Sequence, residues 1–294
     1  MFSAEDTASI LVAALPYIQK YAGKTVVIKY GGNAMISEEL KKKVMEDIAL
    51  MKYVGISPVI VHGGGPDITG MLKKVGKASE FVGGLRVTDQ ETVEIAEMVL
   101  SGKVNSSIVS DLNLKGTPAI GLNGKDAFLL KARKKLAEVH ESGRVEKVDI
   151  GYVGEVEAVN EKILQDMIDT GYVPVIAPIG MGGEGESYNI NADTAAARVA
   201  GALRAEKLLL LTDVEGIYRD FGDKSSFISS LSRREAEEYI DSGIIAGGMI
   251  PKVEACITAL TMGTGKTSII DGRKPHSLLL ELFTPEGIGT EIVK

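Results

Sequence analysis

Short runs rich in β-branched residues alternate along this chain with segments of helical periodicity. The runs that predict strands are residues 24–30, 57–62, 117–122, 172–180, 206–213 and 266–272. Between these runs, segment 38–54 carries apolar side chains at helical spacing, and the alanine-rich segment 192–203 follows Asn191; both patterns predict helices. This alternation indicates an α/β fold, with a mainly parallel sheet and helices on both of its faces.

Two stretches fall outside the alternation. Between residues 123 and 158, polar and apolar positions alternate, which predicts antiparallel hairpins attached to the main sheet. Segment 5–21 precedes the first predicted strand and gathers apolar side chains on one face of a helix. They are Ile10, Leu11, Ala14, Leu15 and Ile18. Because this helix lies outside the predicted α/β core, its apolar stripe is expected to be exposed and indicates a surface that contacts a partner.

A glycine-rich stretch at 179–189 separates two halves that each begin their own series of strands and helices. We therefore predict three units along the chain. The first is the helix within residues 1–22, the second is a lobe at 23–179, and the third is a lobe at 180–294.

Composition narrows the classes of function. The chain has 294 residues, 45% hydrophobic and 25% charged, and a formal net charge of -7 without long blocks of like charge. These values predict a globular protein and give no indication of a nucleic-acid partner. A single cysteine, Cys256, cannot form a disulfide within the chain, and no apolar run has the length of a membrane span. We expect a cytoplasmic protein without a membrane segment.

Two consecutive predicted strands end in glycine-rich turns. The first turn reads KYGGN (29–33), with a lysine inside the strand, and the second reads HGGGP (62–66), with a proline suited to a first helical turn. Either motif alone is explained equally well by a tight strand-to-helix turn. Since ligands of open α/β sheets bind beyond the carboxyl ends of strands, and helix N-termini attract anions, two such turns in succession favour an anion site.

Charged residues at two further helix starts extend this interpretation. Asn191 is suited to cap the helix that follows it, and Asp193 carries the charge needed to orient lysines around a phosphate. Lys252 follows the glycine turn GGMIP (247–251). Because a cation near a helix N-terminus opposes the helix dipole, an anionic ligand explains Lys252 better than solvent does.

Other known motifs are incomplete. The segment GTGKT (263–267) resembles the end of a P-loop, but Leu260 stands where that motif needs glycine, and a predicted strand follows instead of a helix. The three histidines, at 62, 140 and 276, lack the spacing of metal ligands, and a dinucleotide-binding glycine fingerprint is missing. The sequence therefore supports neither a zinc hydrolase nor a Rossmann dehydrogenase, and we predict no metal held by protein side chains alone.

In their order and spacing, seven segments resemble the amino-acid kinase family, and within it the N-acetylglutamate kinases. They are KYGGNAM (29–35), VHGGGPDI (61–68), GLRVTD (84–89), YNINADTAA (188–196), LTDVEGIY (211–218), GGMIPKVEAC (247–256) and IIDGRKPHSLLLELFTPEGIGT (269–290). The resemblance implies an open three-layer α/β/α sandwich, with an amino-acid lobe at 23–179 and a nucleotide lobe at 180–294. The implied reaction transfers the γ-phosphoryl group of ATP to N-acetyl-L-glutamate and gives N-acetyl-L-glutamyl 5-phosphate, a step of arginine biosynthesis.

The resemblance also implies a role for each matching residue. The residues implied in catalysis are Lys29, Lys252, Asp193 and Gly32. Those implied in binding the amino-acid substrate are Gly64, Gly65, Arg86 and Asn189. Those implied in binding the nucleotide are Gly31, Thr212, Asp213, Tyr218, Gly248 and Lys252. Mg²⁺ is expected to arrive on the phosphates of ATP, since it seldom has a cage made of protein ligands alone.

These implied roles agree with elementary chemistry. Two lysines beside the transferring phosphoryl group neutralise charge on its oxygens, and Asp193 orients both lysines. The planar fork of Arg86 matches a carboxylate. Because the nucleophile is an already ionised carboxylate, the reaction needs no general base.

Regulation is implied by the initial helix. The family divides into arginine-insensitive members that begin at the first strand and arginine-sensitive members with an additional N-terminal helix, and this chain has that helix. The resemblance therefore implies inhibition by L-arginine and a homohexamer, a trimer of dimers joined by these helices. The residues implied in binding arginine are Tyr17, His276, Glu281 and Gly287. A PII-type signalling protein stays open as a further partner. One departure from the family is GTGKTS (263–268), where alanine and histidine are more usual.

Two other functions stay open at the level of sequence. A kinase of the same fold that acts on carrier-linked aminoadipate would share most of these segments. A non-catalytic sensor of arginine or of a nucleotide would share the fold, but Lys29, Asp193 and Lys252 are all intact and argue against it. The initial helix and the GLRVTD segment of this chain match four other kinases of the fold poorly: aspartokinase, glutamate 5-kinase, uridylate kinase and carbamate kinase.

Overall fold

The structure is a computed structural model that describes residues 3–35, 37–141 and 144–294. The α-helices are α1 (Ala4–Tyr21), α2 (Glu38–Tyr53), α3 (Gly65–Lys74), α4 (Gln90–Glu97), α5 (Ser106–Leu114), α6 (Glu161–Asp169), α7 (Ala192–Ala202), α8 (Arg233–Asp241), α9 (Ile250–Thr261) and α10 (Ser277–Phe283). A π-helix, Met98–Asn105, joins α4 to α5. None of the helices in the described part of the chain combines the length and the hydropathy of a membrane span.

The strands are also numbered in their order along the chain. They are β1 (Thr25–Tyr30), β2 (Ser57–His62), β3 (Phe81–Val82), β4 (Leu85–Arg86), β5 (Ala119–Asn123), β6 (Leu130–Lys134), β7 (Ala137–Glu141), β8 (Arg144–Val148), β9 (Val153–Val159), β10 (Val173–Ala177), β11 (Ile179–Met181), β12 (Ser187–Ile190), β13 (Lys207–Thr212), β14 (Ile217–Tyr218), β15 (Phe227–Ile228), β16 (Ser230–Ser232), β17 (Lys266–Asp271) and β18 (Thr290–Val293). All six strand predictions are confirmed, and segment 172–180 divides into β10 and β11.

One eight-stranded sheet runs through the molecule in the order β16, β18, β17, β13, β1, β2, β10, β5. From β17 to β5 all neighbouring strands are parallel, whereas β18 pairs antiparallel with β17. Alternate side chains of β1 enter two different cores, Val27 on one face and Val26 and Ile28 on the other. Helices α6 to α9 pack on the first face, and α2 to α5 with α10 pack on the second. The predicted three-layer α/β/α sandwich is confirmed.

Helix α7 fits closely against this sheet because its buried side chains are small. Ala195, Ala196, Ala197 and Ala200 are fully buried, and the helix contacts β1, β2, β13 and α9. Asn191 begins it, since its side-chain oxygen accepts from the N–H groups of the second and third residues that follow. The predicted cap is confirmed, and it places the first turn of α7 beside the carboxyl ends of β1 and β2.

The hairpins predicted between residues 123 and 158 are also confirmed. Strands β6 and β9 pair antiparallel, as do β7 and β8. Strand β9 additionally pairs parallel with β12, so that β6, β9, β12 and β11 close into a small barrel. The glycine-rich stretch 179–189 forms β11, most of β12 and the turn at 182–186 that joins them as an antiparallel pair.

Helix α1 stands apart from both cores along most of its length. A reciprocal capping box of Ser3 and Asp6 begins the helix, and buried Tyr21 anchors its end in the second core. The predicted apolar stripe faces solvent in the single chain, with Leu11 67% exposed. Helices α2 to α10, by contrast, all contribute apolar side chains to the two cores.

Candidate active site

The two glycine turns meet at one edge of the sheet. Strands β1 and β2 are parallel neighbours that end in register, with Tyr30 opposite His62. The N–H of Gly63 donates to the carbonyl oxygen of Tyr30 at 2.7 Å, which holds the two turns together. With the start of α7, they line a cavity of about 160 Å³. Parallel pairing therefore converts two separate sequence motifs into a single cradle.

Two positions in this cradle require glycine for different reasons. Gly32 has a φ of +69°, a left-handed conformation that side chains disfavour. A Cβ added at Gly64 would lie 2.4 Å from the side chain of Leu100 in the π-helix. The backbone can approach a ligand here because neither residue carries a side chain.

One carboxylate bridges two lysines at this cradle. Lys29 Nζ lies 2.9 Å from Oδ1 of Asp193, and Lys252 Nζ lies 3.0 Å from Oδ2. Burial alone would raise the pKa of Asp193, but the two ammonium charges outweigh it and hold the pKa below its ordinary value. The two ammonium groups and the one carboxylate carry a net charge of about +1 together, and this positive charge is suited to binding a phosphate.

A buried histidine supports the second glycine turn through a hydrogen bond. His62 is fully buried, which lowers its pKa to about 4, so the imidazole is neutral. Its Nδ1 donates to the carbonyl oxygen of Gly63 at 2.7 Å, and its Nε2 accepts from Asn105 at 3.1 Å. Asn105, in the π-helix, also donates to the carbonyl of Val175. The sequence singled out neither member of this pair for such a role, because the bond joins residues far apart in the chain.

Arg86 lies in a second cavity, of about 180 Å³, that the predicted substrate residues Gly64, Gly65 and Asn189 also line. It is only 7% exposed, so it is not a surface arginine. Its Nη2 donates to the carbonyl of Gly65 at 3.0 Å and to the hydroxyl of Thr69 at 2.9 Å.

Two further contacts orient the same guanidinium. Nη1 donates to the hydroxyl of Ser79, and the Cζ atom of Arg86 lies 4.7 Å from the centre of the Phe81 ring. These contacts fix the plane of the fork. Sequence reasoning did not identify Thr69, Ser79 or Phe81, since nothing in their local pattern distinguishes them.

A third cavity, of about 570 Å³, extends from the carboxyl end of β13. Five of the six residues predicted for the nucleotide line it: Thr212, Asp213, Tyr218, Gly248 and Lys252. The sixth, Gly31, lines the cradle instead. Lys252 connects the two spaces, because it lines the large cavity while its ammonium group contacts Asp193. No group of three or more His, Cys, Asp or Glu residues in the described ranges is placed to hold a metal ion.

Comparison with known proteins decides the family. The sequence model of the amino acid kinase family matches residues 24–271. The chain is 59% identical over 290 residues to the acetylglutamate kinase of Pelotomaculum thermopropionicum, with 98% of both chains covered. It is 58% identical over 288 residues to that of Moorella thermoacetica, covering 98% of this chain and 97% of the relative. The chain belongs to the amino acid kinase family. The resemblance to N-acetylglutamate kinases drawn from the seven segments is confirmed.

Among solved structures, this amino acid kinase is similar to one part of a longer enzyme. N-acetylglutamate synthase from Neisseria gonorrhoeae, complexed with coenzyme A and N-acetyl-glutamate, superposes with a TM-score of 0.83 at 30% identity. A second structure of that synthase, complexed with coenzyme A and L-arginine, gives a TM-score of 0.78 at 27% identity. Both alignments cover 98% of this chain but only 63% and 65% of the synthase, so the likeness concerns one part of that protein.

A fourth cavity of this kinase, about 490 Å³, lies where α1 meets the C-terminal segment. Tyr17, Glu281 and Gly287, three of the four residues predicted for arginine, line it. His276 does not belong with them, because its Nδ1 lies 2.5 Å from Oδ1 of the fully buried Asp47 on α2. His276 lies outside α10, as the residue that caps its N-terminus in a left-handed conformation with a φ of +59°, and from there its side chain contacts α2 and not the cavity of Glu281.

Glu281 is not solvated in this cavity. Its Oε1 accepts from Lys207 Nζ at 2.8 Å, and its Oε2 accepts from the N–H groups of Ile288 and Gly289. Burial would lower the pKa of Lys207, which is 3% exposed, but the charge of Glu281 outweighs it and the pKa is raised. Glu281 therefore ties β13 to α10 and to the loop before β18.

Replacing Glu281 by alanine is expected to lower the free energy of unfolding by about 2–3 kcal/mol, since among the described residues it leaves Lys207 buried with Glu291 as its remaining ion-pair partner. Glu281→Gln should cost less, because the amide oxygen still accepts from the backbone. Glu286→Ala is the matched control, an exposed glutamate lining the same cavity. Urea denaturation measures all three; equal stabilities of the Glu281→Ala and Glu286→Ala variants would show that the buried pair is not stabilising.

Proposed function

We propose that this chain transfers the γ-phosphoryl group of ATP to the side-chain carboxylate of N-acetyl-L-glutamate and forms N-acetyl-L-glutamyl 5-phosphate and ADP, a step of arginine biosynthesis. The observation that carries the proposal is the bridge of Lys29, Asp193 and Lys252 at the two glycine turns. It lies between the cavity of Arg86 and the cavity that ends at Lys252. The choice of substrate is supported by the acetylglutamate kinases at 54–59% identity.

The reaction needs electrostatics and positioning more than acid–base chemistry. A substrate carboxylate oxygen forms a bond to the γ-phosphorus, and the bond from that phosphorus to the bridging oxygen breaks, leaving its electron pair on ADP. Lys29 and Lys252 neutralise the oxygens of the group in transfer, and glycine N–H groups of the cradle donate to them. Asp193 keeps both ammonium groups aimed at one point, so little reorganisation is needed as the transition state forms.

Mg²⁺ fits this site only as a companion of the nucleotide. Both oxygens of Asp193 are occupied by lysines, and the described residues present no further cluster of acidic ligands. The phosphates of ATP would hold the ion, which supplies neutralising charge. On the acceptor side, Arg86 binds the α-carboxylate of the substrate through its oriented fork, and Asn189 with the backbone of Gly64 and Gly65 binds its remaining polar groups.

An assay of ADP release tests the proposal against its alternatives. The purified chain is supplied with ATP and, in separate reactions, with N-acetylglutamate, glutamate, aspartate, carbamate, UMP or carrier-linked aminoadipate. We expect release with N-acetylglutamate far above every other acceptor. Preference for the carrier-linked acid would identify the related kinase, and no release with any acceptor would indicate a sensor that kept the fold.

Arginine inhibition and a hexameric state belong to the same proposal. The exposed stripe of α1 offers a surface through which the helices of two subunits pair, so that dimers assemble into a ring. The cavity beside α1 has carboxylates and lysines suited to a charged amino acid, and the similar synthase has been solved with L-arginine. Arginine bound there would favour an arrangement of the 23–179 and 180–294 lobes other than the catalytic one. Cytoplasmic location and a PII-type partner stay predictions from the sequence.

Leu11→Glu is expected to reduce the hexamer to an active dimer, because it places a charge in the apolar stripe without touching the arginine cavity. Ser9→Glu adds the same charge about 200° away around the helix and should leave the hexamer intact. Sedimentation velocity with activity assays across an arginine titration provides the measurement. Removing residues 1–20 should likewise give an active dimer that arginine no longer inhibits. A Leu11→Glu protein that stays hexameric would contradict the role of the stripe.

A further inference from the structure

Phe221 is an aromatic residue that the folded chain leaves almost entirely in solvent. It is 82% exposed, yet it lines the 570 Å³ cavity that reaches Lys252. It lies just beyond the segment 211–218 that carries the resemblance to the family. An apolar ring held at the rim of a cavity retains a surface that a ligand can cover.

The loop that carries Phe221 is firmly braced. Asp220 receives N–H donors from Gly222 and Asp223, and its own N–H donates to the hydroxyl of Ser226 at 3.0 Å. The Ser226 hydroxyl in turn donates to the carbonyl of Asp220 at 2.8 Å. These bonds close the loop between β14 and β15 on both sides of Phe221. The exposure of Phe221 therefore follows from the hydrogen-bonded turn that carries it.

Aromatic packing connects Phe221 to the folded core. The ring of Tyr218 contacts Phe227 edge-on, with centroids 5.3 Å apart, and Phe221 at 6.1 Å with an angle of 81° between the planes. Tyr218 is held in turn by donating its hydroxyl to Glu215. Phe227 thus supports Tyr218, and Tyr218 supports one side of Phe221. Most of the surface of Phe221 nevertheless faces solvent, since the residue is 82% exposed.

The other walls of the cavity suit a flat apolar ligand with an anionic end. Residues 244–249 contribute aliphatic side chains to the lining, among them Ile244, Ile245 and Met249. Lys252 contributes a cation where the cavity meets Asp193. A nucleoside triphosphate has this distribution, with an aromatic base at one end and phosphates at the other.

We propose that Phe221 stacks on the base of the bound nucleotide and thereby sets the affinity of this kinase for ATP. The inference rests on the proposed function and adds a residue to it. Every base has a π-face, and an aromatic side chain on a rigid support loses little entropy when a base covers it. Phe221 takes no part in phosphoryl transfer, so its effect falls on nucleotide binding and not on the chemical step.

Steady-state kinetics test the stacking role. Phe221→Ala is expected to raise the KM for ATP roughly 5- to 20-fold while kcat and the KM for N-acetylglutamate stay within about twofold. Phe221→Tyr keeps the ring and should restore the KM for ATP. The matched control is Phe128→Ala, a phenylalanine that is 63% exposed and does not line the cavity. An unchanged KM for ATP in the Phe221→Ala variant would overturn the proposal and indicate a surface for another protein.

A fluorescence experiment checks the contact directly. The chain has no tryptophan, so Phe221→Trp introduces a unique reporter. ADP should change its emission, whereas inorganic tripolyphosphate, which has no base, should leave it unchanged. Calorimetry on the unaltered chain measures ADP binding in parallel. Binding of ADP without any change in emission, or an equal change with tripolyphosphate, would overturn the stacking role alone. Absence of ADP binding by calorimetry would overturn the proposed function as well.

Discussion

Lys29→Ala and Lys252→Ala should each lower kcat by about a hundred- to a thousandfold, with a smaller effect on the KM for ATP. Each ammonium group lies within 3.0 Å of Asp193 and faces charge that is greatest in the transition state. Interactions that strengthen only in the transition state appear in kcat more than in binding. Initial-rate kinetics at saturating and subsaturating ATP separate the two quantities.

Lys24→Ala is the control for the loss of a lysine. Lys24 precedes β1 at the end opposite the cradle, is about half exposed, and lies 3.9 Å from Glu206. Its removal should leave kcat within about twofold, as expected for a surface ion pair. Thermal denaturation of all three variants shows whether each still folds. Near-normal turnover in a folded Lys29→Ala or Lys252→Ala variant would contradict the role assigned to that lysine.

Arg86→Lys is expected to raise the KM for N-acetylglutamate roughly 10- to 100-fold, because a point-charge ammonium cannot reproduce a paired hydrogen bond to a carboxylate. The KM for ATP should change little, since Arg86 does not line the nucleotide cavity. The four contacts that hold the guanidinium, to Gly65, Thr69, Ser79 and Phe81, are also lost or weakened by lysine.

Arg133→Lys provides the comparison for the same substitution on the surface. Arg133 is mostly exposed and pairs with Glu155 on the neighbouring strand β9, so both Michaelis constants should stay unchanged. Equal increases in the KM for both substrates of the Arg86→Lys variant would contradict a role in substrate recognition. That outcome would indicate instead that Arg86 supports the packing of α3 against the β3–β4 hairpin.

These two predictions concern different halves of one reaction. Lys29, Lys252 and Asp193 act on the group in transfer, whereas Arg86 fixes where the acceptor lies. The buried His62 connects the halves, because it holds the turn whose glycines line both the cradle and the substrate cavity. A change at His62 would disturb both, which makes it less informative than a change at either site.

Local pattern was sufficient for most elements of this fold. The six strand runs, the helices at 38–54 and 192–203, and the cap at Asn191 were all predictable, since periodicity and capping depend on residues a few positions apart. The glycine turns were predictable for the same reason. Their use as a single cradle followed from a general property of parallel sheets, whose strands end at a common edge.

Contacts between distant segments were decided only in the tertiary structure. The bond of His62 to Asn105 and the pairing of Glu281 with Lys207, 74 positions apart, have no signal in the local sequence. His276 shows the limit most clearly, since the family resemblance implied a place in the cavity of Glu281 and its side chain contacts Asp47 on α2 instead. Residue type and spacing determine which elements form, but the order of strands and the direction of each side chain determine which residues meet.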